Sequence, residues 1–233
     1  MGIVLRQVSK VYKTGEVETS ALKDIDLTIK EGEVLIVLGP SGSGKSTLLN
    51  VMSGLDTPSA GEMYYNDLAI HKLDQRGLTK FRRKYLGFIF QQYNLLQNLS
   101  VKENIEMGAA LSDHPLSIDE VMDAVGLTDK AKKYPSQLSG GEQQRVAIAR
   151  SVVKNPAVLF CDEPTGALDE KTACQVLELL EKMNDLYYTT IVIITHNPSI
   201  ALMGDRVIKM NSGIIHTVYE NVDKKRVGEI KWG

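Results

Sequence analysis

The chain has 233 residues, of which 43% are hydrophobic and 24% are charged, and its formal net charge is −2. Such a length and composition indicate a globular protein with a sizeable core, and the near-zero charge gives no electrostatic sign of nucleic-acid binding. Two cysteines, Cys161 and Cys174, are too few for a disulfide framework or a metal cluster, and they suit a reducing compartment.

The first predicted elements are two strands with alternating apolar residues, Ile3 to Val8 and Ile25 to Ile29, which is typical of a half-exposed sheet. The next strand, Val34 to Leu38, is a continuous apolar run, the pattern of a strand buried on both faces. The same pattern recurs in Val158 to Cys161 and in Ile191 to Ile194. Because helical patterns separate these three buried strands, we predict a parallel sheet with crossover helices.

A glycine-rich loop, GPSGSGKST, follows the first buried strand and precedes a predicted helix, Ser46 to Met52. Its spacing is that of a phosphate-binding loop, in which backbone N–H groups and a helix N-terminus converge on phosphates. We predict that Lys45 neutralises the outer phosphates of a nucleotide and that the Ser46 hydroxyl is a ligand of Mg²⁺. The predicted binding residues are Gly39, Pro40, Ser41, Gly42, Ser43, Gly44, Lys45, Ser46 and Thr47.

The segment from about Ser100 to Tyr134 has helical patterns only and interrupts the alternation of strands and helices. One of its helices is predicted to begin after Ser117 and to end at Gly126. We interpret this segment as a helical subdomain inserted into the α/β core.

The segment LSGGEQQR, residues 138–145, begins a predicted helix but carries two glycines in its first turn. Ser139 and Glu142 have the spacing of a capping box, whereas a glycine inside a helix costs roughly 1 kcal/mol relative to alanine. Residues 100–103 and 117–120 have the same cap spacing without paired glycines, and we interpret them as ordinary helix starts. The two glycines therefore indicate that another group approaches this backbone closely.

Two adjacent carboxylates, Asp162 and Glu163, follow the second buried strand. Asp162 is predicted to hold Mg²⁺, and Glu163 to polarise a water molecule aimed at a γ-phosphate; the alternative is a solvent-exposed acidic pair. His196 follows the third buried strand and could orient the same water molecule. Taken alone, however, a histidine at a strand end is better explained as a surface residue.

The motifs GPSGSGKST, LSGGEQQR, VLFCDEPTGALD and THN, in this order, resemble the ATPases of the ATP-binding cassette (ABC) family over essentially the whole chain. The resemblance implies an α/β fold: a P-loop NTPase core with a mostly parallel sheet, a small antiparallel β subdomain and an inserted helical subdomain. We predict a single domain over residues 1–233, with 1–90 and 138–233 forming the core and 91–137 the helical subdomain.

The resemblance also implies that ATP and Mg²⁺ bind between two copies of the ATPase that dock head-to-tail. Ser139 and the backbone N–H groups of Gly140 and Gly141 would then contact the nucleotide held by the other copy. Glu142 would bring a negative charge close to a phosphate, and we expect its carboxylate to turn back toward the helix cap. A single chain is therefore expected to be catalytically incomplete.

Three further residues are carried over from the family pattern. Tyr12, in KVYKTG, resembles the aromatic residue that stacks on adenine; the alternative is an edge-strand tyrosine. Gln91, in GFIFQQ, resembles the glutamine that approaches Mg²⁺ and links the core to the helical subdomain, although Gln92 is its neighbour. Asp169, in GALD, resembles the aspartate that crosses the dimer interface. Cys161 is interpreted as a packing residue.

The stretches FRRKYLGFIFQ and DEPTGALD are similar to those of one bacterial branch of the family. This branch contains the ATPases of macrolide exporters, lipoprotein-release systems and antimicrobial-peptide-resistance pumps, and that of the cell-division pair that activates cell-wall hydrolases. The branch implies an FtsX-like membrane permease as partner, and Ala167 favours the macrolide or peptide-resistance type. The chain lacks a signal peptide and long apolar runs, so we expect it in the cytoplasm, attached to the membrane through the permease.

Two alternatives remain from other functional classes. One is a soluble ABC-type ATPase that acts on ribosomes or DNA. The single phosphate loop disfavours the ribosome-acting type, because translation factors of that type carry two cassettes in one chain. The other is a nucleotide sensor without turnover, which the presence of Glu163 and His196 disfavours. No nucleic-acid partner is expected.

Overall fold

The computed structural model describes residues 2–231, so that Met1, Trp232 and Gly233 of the predicted domain lie outside the described residues. Two sheets form the framework. The smaller sheet is antiparallel, with strand order β2-β1-β4-β5. Its strands are β1 (Gly2–Thr14), β2 (Val17–Lys30), β4 (Ala60–Tyr65) and β5 (Leu68–Ala69).

The larger sheet has the strand order β10-β9-β3-β8-β7-β6. All of its neighbouring strands pair in parallel except the hairpin formed by β9 and β10. Its strands are β3 (Val34–Leu38), β6 (Leu86–Ile89), β7 (Val158–Asp162), β8 (Thr190–Thr195), β9 (Arg206–Asn211) and β10 (Ile214–Glu220). The predicted combination of a mostly parallel sheet with a small antiparallel one is confirmed.

Six α-helices connect and cover these sheets within the described residues. They are α1 (Lys45–Met52), α2 (Gln75–Tyr85), α3 (Val101–Ala109), α4 (Ile118–Ala124), α5 (Gly140–Val152) and α6 (Glu170–Tyr187). Short 3₁₀ turns occupy Ile70–Lys72, Thr128–Lys130, Pro135–Gln137, Pro198–Met203 and Val227–Glu229. None of the helices in residues 2–231 has the length and apolar character needed to cross a bilayer.

The core lies on both faces of the larger sheet because successive side chains of a strand point to opposite faces. Ile36 of β3 belongs to a cluster with the helices α3 to α6, whereas its neighbours Leu35 and Val37 pack with α1 and the antiparallel sheet. Cys161 is fully buried, and burial raises the pKa of its thiol, which agrees with a packing role. The continuous apolar runs of β3, β7 and β8 thus reflect burial from two sides.

Residues 91–137, all of which are described, contain helices and turns but no strand. Helix α3 begins with a complete capping box of Ser100 and Glu103, and Ser117 caps α4 by accepting a hydrogen bond from the Glu120 amide. The helices of this segment pack into the same apolar cluster as α5. The division of the domain at residues 91 and 137 stays a prediction.

Candidate functional site

A cavity of about 610 Å³ lies where the carboxyl ends of β3, β7 and β8 meet. The parallel register places Leu38 beside Thr195, and Asp162 beside Ile194. The residues that directly follow these positions therefore share one edge of the sheet. The sequence-predicted residues that line the cavity are Ser41, Gly42, Ser43, Gly44, Lys45, Ser46, Thr47, Gln91, Asp162, Glu163 and His196.

The phosphate loop has a backbone that requires glycine at two positions. Gly42 and Gly44 have φ angles of 77° and 99°, in the left-handed region that side chains disfavour. The ammonium group of Lys45 donates hydrogen bonds to the carbonyl oxygens of Gly39 (2.7 Å) and Pro40 (2.9 Å). Lys45 also begins helix α1, so that a cation and the positive end of a helix dipole lie together at this cavity.

Residues distant in sequence hold the loop in place, and sequence analysis did not predict them. The amide of Gly213, in the turn between β9 and β10, donates to the carbonyl of Ser43 at 3.0 Å. Gly213 in turn accepts a hydrogen bond from the Lys23 amide of β2 at 2.9 Å. Both Gly213 and Lys23 line the cavity, together with Thr19, Ser20, Ala21, Ile194 and Ser212. The antiparallel sheet therefore supplies one wall of the site.

The oxygen atoms of Ser46 and Asp162 fit the predicted magnesium site. The Ser46 hydroxyl lies beside the Asp162 carboxylate, and hydroxyl and carboxylate oxygens are the ligands that Mg²⁺ prefers. Burial and the nearby charge of Glu163 raise the pKa of Asp162. Because a cation would relieve both effects, the donor set and its electrostatics suit a divalent ion. Nearby, the buried hydroxyl of Ser43 has no hydrogen-bond partner among the described residues.

Glu163 and His196 lie within hydrogen-bonding distance, with Nδ1 of His196 2.9 Å from Oε1 of Glu163. The Glu163 backbone has φ of 48°, an uncommon conformation for a residue with a side chain, and its amide donates to the Ile194 carbonyl. Backbone outliers of this kind concentrate at functional sites. The sequence analysis assigned both residues to the same water molecule, and the structure places them together at the cavity.

Gln91 lines the cavity, whereas its neighbour Gln92 is absent from the lining. The side-chain nitrogen Nε2 of Gln91 also lies close to Gly166, since a Cβ atom built on Gly166 would be 3.1 Å from this nitrogen. The geometry therefore favours Gln91 over Gln92 as the residue that faces the nucleotide site.

Tyr12 does not line this cavity. Its hydroxyl donates to Asp56 at 2.8 Å, its side chain lies near that of Thr47, and the Lys10 ammonium lies 4.9 Å from the ring centroid. Tyr12 is 39% exposed, so one side of the residue is open to solvent. Its predicted contact with adenine stays a prediction.

The predicted residues at the tip of α5 also lie outside the cavity lining: Ser139, Gly140, Gly141 and Glu142. Ser139 and Glu142 form the expected capping box, in which the Glu142 carboxylate accepts a hydrogen bond from the Ser139 amide at 2.8 Å. The other carboxylate oxygen is bound by the ammonium group of Lys130, a residue that sequence analysis missed. Lys130 first, and then the Ser139 amide, lower the pKa of Glu142 to about 2.

The two glycines of the tip have different surroundings. A Cβ atom on Gly141 would lie 2.1 Å from Cγ2 of Thr172, so this glycine is required by the packing of α5 against α6. A Cβ atom on the exposed Gly140 would lie 2.9 Å from the hydroxyl oxygen of Tyr93 and 3.8 Å from Cδ2 of Leu168. Packing within this chain therefore accounts for Gly141, whereas the close approach of another molecule to Gly140 stays a prediction.

Asp169 is exposed and caps helix α6, where it accepts hydrogen bonds from the amide and the hydroxyl of Thr172. These two bonds lower the pKa of Asp169. Like the tip of α5, Asp169 does not line the cavity.

Three side chains of helix α5 that sequence analysis missed connect it to the loop after β7, to the segment after Gln91 and to strand β6. Gln144, which is fully buried, donates to the Pro164 carbonyl at 2.8 Å, next to Glu163. Arg150 donates to the carbonyls of Tyr93 and Asn94, which follow Gln91. Ser151 donates to the Phe88 carbonyl at 2.6 Å. Their residue types alone carried no signal for these roles.

A phosphate loop between a buried strand and a helix, facing a strand-end carboxylate that can hold Mg²⁺, defines a nucleotide-binding protein of the P-loop class. Residues 22–166 match the family model described as ABC transporter. The chain belongs to the ABC transporter family and has the fold of its ATP-binding cassettes.

Individual proteins support this assignment. MG065 of Mycoplasma genitalium, named as an ABC transporter ATP-binding protein, is 48% identical in an alignment of 233 positions that covers 99% of this chain and 50% of MG065. The chain thus spans about half the length of that relative. The lipoprotein-releasing system ATP-binding protein LolD of Colwellia psychrerythraea is 40% identical, over 94% of this chain and 86% of LolD. The resemblance to this branch is confirmed.

Among solved structures, the fold is similar to that of the ATP-binding cassette MJ0796 of Methanocaldococcus jannaschii. That structure is a dimer in a post-hydrolysis state, bound to ADP and Pi. The TM-score is 0.85 at 40% identity, and the match covers 94% of this chain and 98% of MJ0796. The predicted fold class is confirmed.

Replacement of Lys45 by alanine tests the phosphate site. A charged hydrogen bond contributes about 1.5–3 kcal/mol, so Lys45→Ala should weaken ATP binding roughly ten- to a hundredfold in calorimetry. Lys132→Ala, which removes an exposed cation outside the cavity lining, should leave the affinity unchanged. Equal affinities of both variants and the parent protein would contradict the assignment.

Proposed function

We propose that the chain is the ATP-hydrolysing nucleotide-binding subunit of an ABC transporter, and that it dimerises head-to-tail on ATP. One observation carries the proposal. A single cavity contains the phosphate loop, Asp162, Glu163 and His196, whereas the glycine-bearing tip of α5 lies outside it. Each chain therefore has a nucleotide cradle and, elsewhere, a helix N-terminus suited to contact the nucleotide of another copy.

ATP would be held by the loop amides and by the Lys45 ammonium, which exchanges its carbonyl acceptors for phosphate oxygens. Ser46, Asp162 and Gln91 are the residues that would hold Mg²⁺. The bound ion would neutralise part of the triphosphate charge. Tyr12 would contribute to adenine binding.

Glu163 would act as the general base for hydrolysis. It would accept a proton from the water molecule whose oxygen attacks the γ-phosphorus, while the bond to the bridging oxygen breaks and ADP departs. Glu163 and His196 are joined by a hydrogen bond and both line the cavity. His196 is mostly exposed, so its ring is accessible to the γ-phosphate.

The composite site would be completed by the other copy. Ser139 and the amides of Gly140 and Gly141 would approach the γ-phosphate, and the positive end of the α5 dipole would favour that anion. Asp169 would lie at the same interface. The structure of the similar cassette MJ0796 is dimeric, which supports a dimer for the present chain.

The partner of this dimer would be an FtsX-like membrane permease, and the chain would lie at the cytoplasmic face of the membrane. The support comes from the similarity to LolD, the ATP-binding protein of a lipoprotein-releasing system. The coupled process would be export, peptide resistance or mechanotransmission. Co-purification from detergent-solubilised membranes tests this: recovery with an integral membrane protein is expected. Recovery with ribosomes or DNA would instead favour the soluble alternative.

Replacement of Glu163 by glutamine removes the proposed base but retains the size of the side chain. Glu163→Gln should bind ATP and form a stable ATP-bound dimer, while phosphate release falls by a factor of about 100 to 10,000. Glu170→Gln changes an exposed carboxylate outside the cavity lining and should hydrolyse ATP normally. Rapid turnover by Glu163→Gln would refute the role of this residue.

Replacement of Ser139 by arginine tests the composite site. In the Glu163→Gln background, Ser139→Arg should bind ATP as a monomer but fail to dimerise in analytical ultracentrifugation, because the larger side chain blocks the approach of the two copies. Ser117→Arg removes an equivalent helix cap on α4 and should still dimerise. A dimer formed by Ser139→Arg would show that the α5 tip is not at the interface.

A further inference from the structure

Glu142 poses an electrostatic problem at the tip of α5. In the proposed dimer, the first turn of this helix approaches a triphosphate, and Glu142 lies within that turn. An uncompensated carboxylate there would repel the phosphates and offset the positive end of the helix dipole. The capping box answers only part of this problem, because one amide hydrogen bond orients the carboxylate without neutralising it.

Lys130 supplies the missing positive charge. Its ammonium binds one oxygen of the Glu142 carboxylate, while the Ser139 amide binds the other oxygen. The two side chains are mostly buried, with 24% of Lys130 and 17% of Glu142 exposed. A pair so shielded from solvent is less screened by salt than an exposed one. Both oxygens of the carboxylate thereby have a donor within the same chain.

The position of Lys130 is itself fixed by the helical segment that precedes α5. Lys130 ends the turn Thr128–Lys130, and its amide donates to the carbonyl of the fully buried Leu127. The carbonyls of Ala131 and Lys133 accept the first amides of α3. The ammonium is therefore presented to α5 by a segment that is anchored on both sides.

We propose that Lys130 is a positioning residue for ATP-dependent dimerisation: it neutralises Glu142, which the capping box keeps at the N-terminal end of α5, so that this carboxylate does not repel the other copy's γ-phosphate. The inference rests on the proposed head-to-tail function. It assigns to Lys130 an electrostatic role through Glu142, with no contact of its own to the nucleotide.

The test uses the Glu163→Gln protein as parent and measures the dimer dissociation constant with ATP by analytical ultracentrifugation. Lys130→Met should weaken the dimer roughly ten- to a hundredfold, because it leaves a partly buried carboxylate unpaired near the phosphates. Lys130→Arg should retain dimerisation, since it preserves the charge. Adding Glu142→Gln to Lys130→Met should restore most of the lost affinity, because glutamine keeps the capping hydrogen bond without the charge.

A matched control is available in the same segment. Lys102 and Asp119 form an ion pair of 3.5 Å whose side chains are 45% and 86% exposed, and Lys102→Met should not change dimerisation. If the Lys130→Met dimer is as tight as that of the parent, or if Glu142→Gln gives no rescue, the role of Lys130 is refuted. If the parent itself remains monomeric with ATP, the proposed dimeric function fails, and this inference fails with it.

Discussion

Parallel pairing of β3, β7 and β8 is the constraint on which the site depends. It aligns Leu38 with Thr195 and Asp162 with Ile194, so that the phosphate loop, the acidic pair and His196 emerge at one sheet edge. The strands are held in this register by apolar residues buried on both faces, which interact with helices on one side and with the antiparallel sheet on the other. The chemistry of the cavity is thus a consequence of core packing, because no single loop could assemble these groups.

Helix α5 provides a second constraint. Its N-terminal tip is the surface proposed to meet another nucleotide, while its buried and C-terminal side chains reach the loops beside Glu163 and after Gln91. A helix of 13 residues with such anchors behaves as a stiff element. If the proposed permease docks on the helical segment, a displacement of that segment would therefore move the α5 tip and the loop beside Glu163 together.

The sequence predicts those features that rest on local spacing. The phosphate loop, the capping boxes and the buried strands all belong to continuous stretches, and the structure places Lys45, Asp162, Glu163 and His196 in one cavity. The hydrogen bonds that hold these motifs in place could not be predicted from the sequence, because they join common residue types that are distant along the chain. They are the bonds from Lys130 to Glu142, from Gln144 to Pro164 and from Gly213 to Ser43. Gly141 is a further example. The paired glycines suggested only that another group approaches the backbone, whereas the residue that excludes a side chain at Gly141 is Thr172, which lies on another helix.

The contact of Gly141 with Thr172 has one more consequence. The amide and hydroxyl of Thr172 also donate hydrogen bonds to Asp169. One threonine side chain therefore contacts both the start of α5 and the residue that caps α6. The starts of α5 and α6, which are about 30 residues apart in sequence, are therefore already packed together before any other molecule binds. A docking molecule would meet a preformed surface, and the loss of backbone freedom that two independent loops would suffer on association has already occurred during folding.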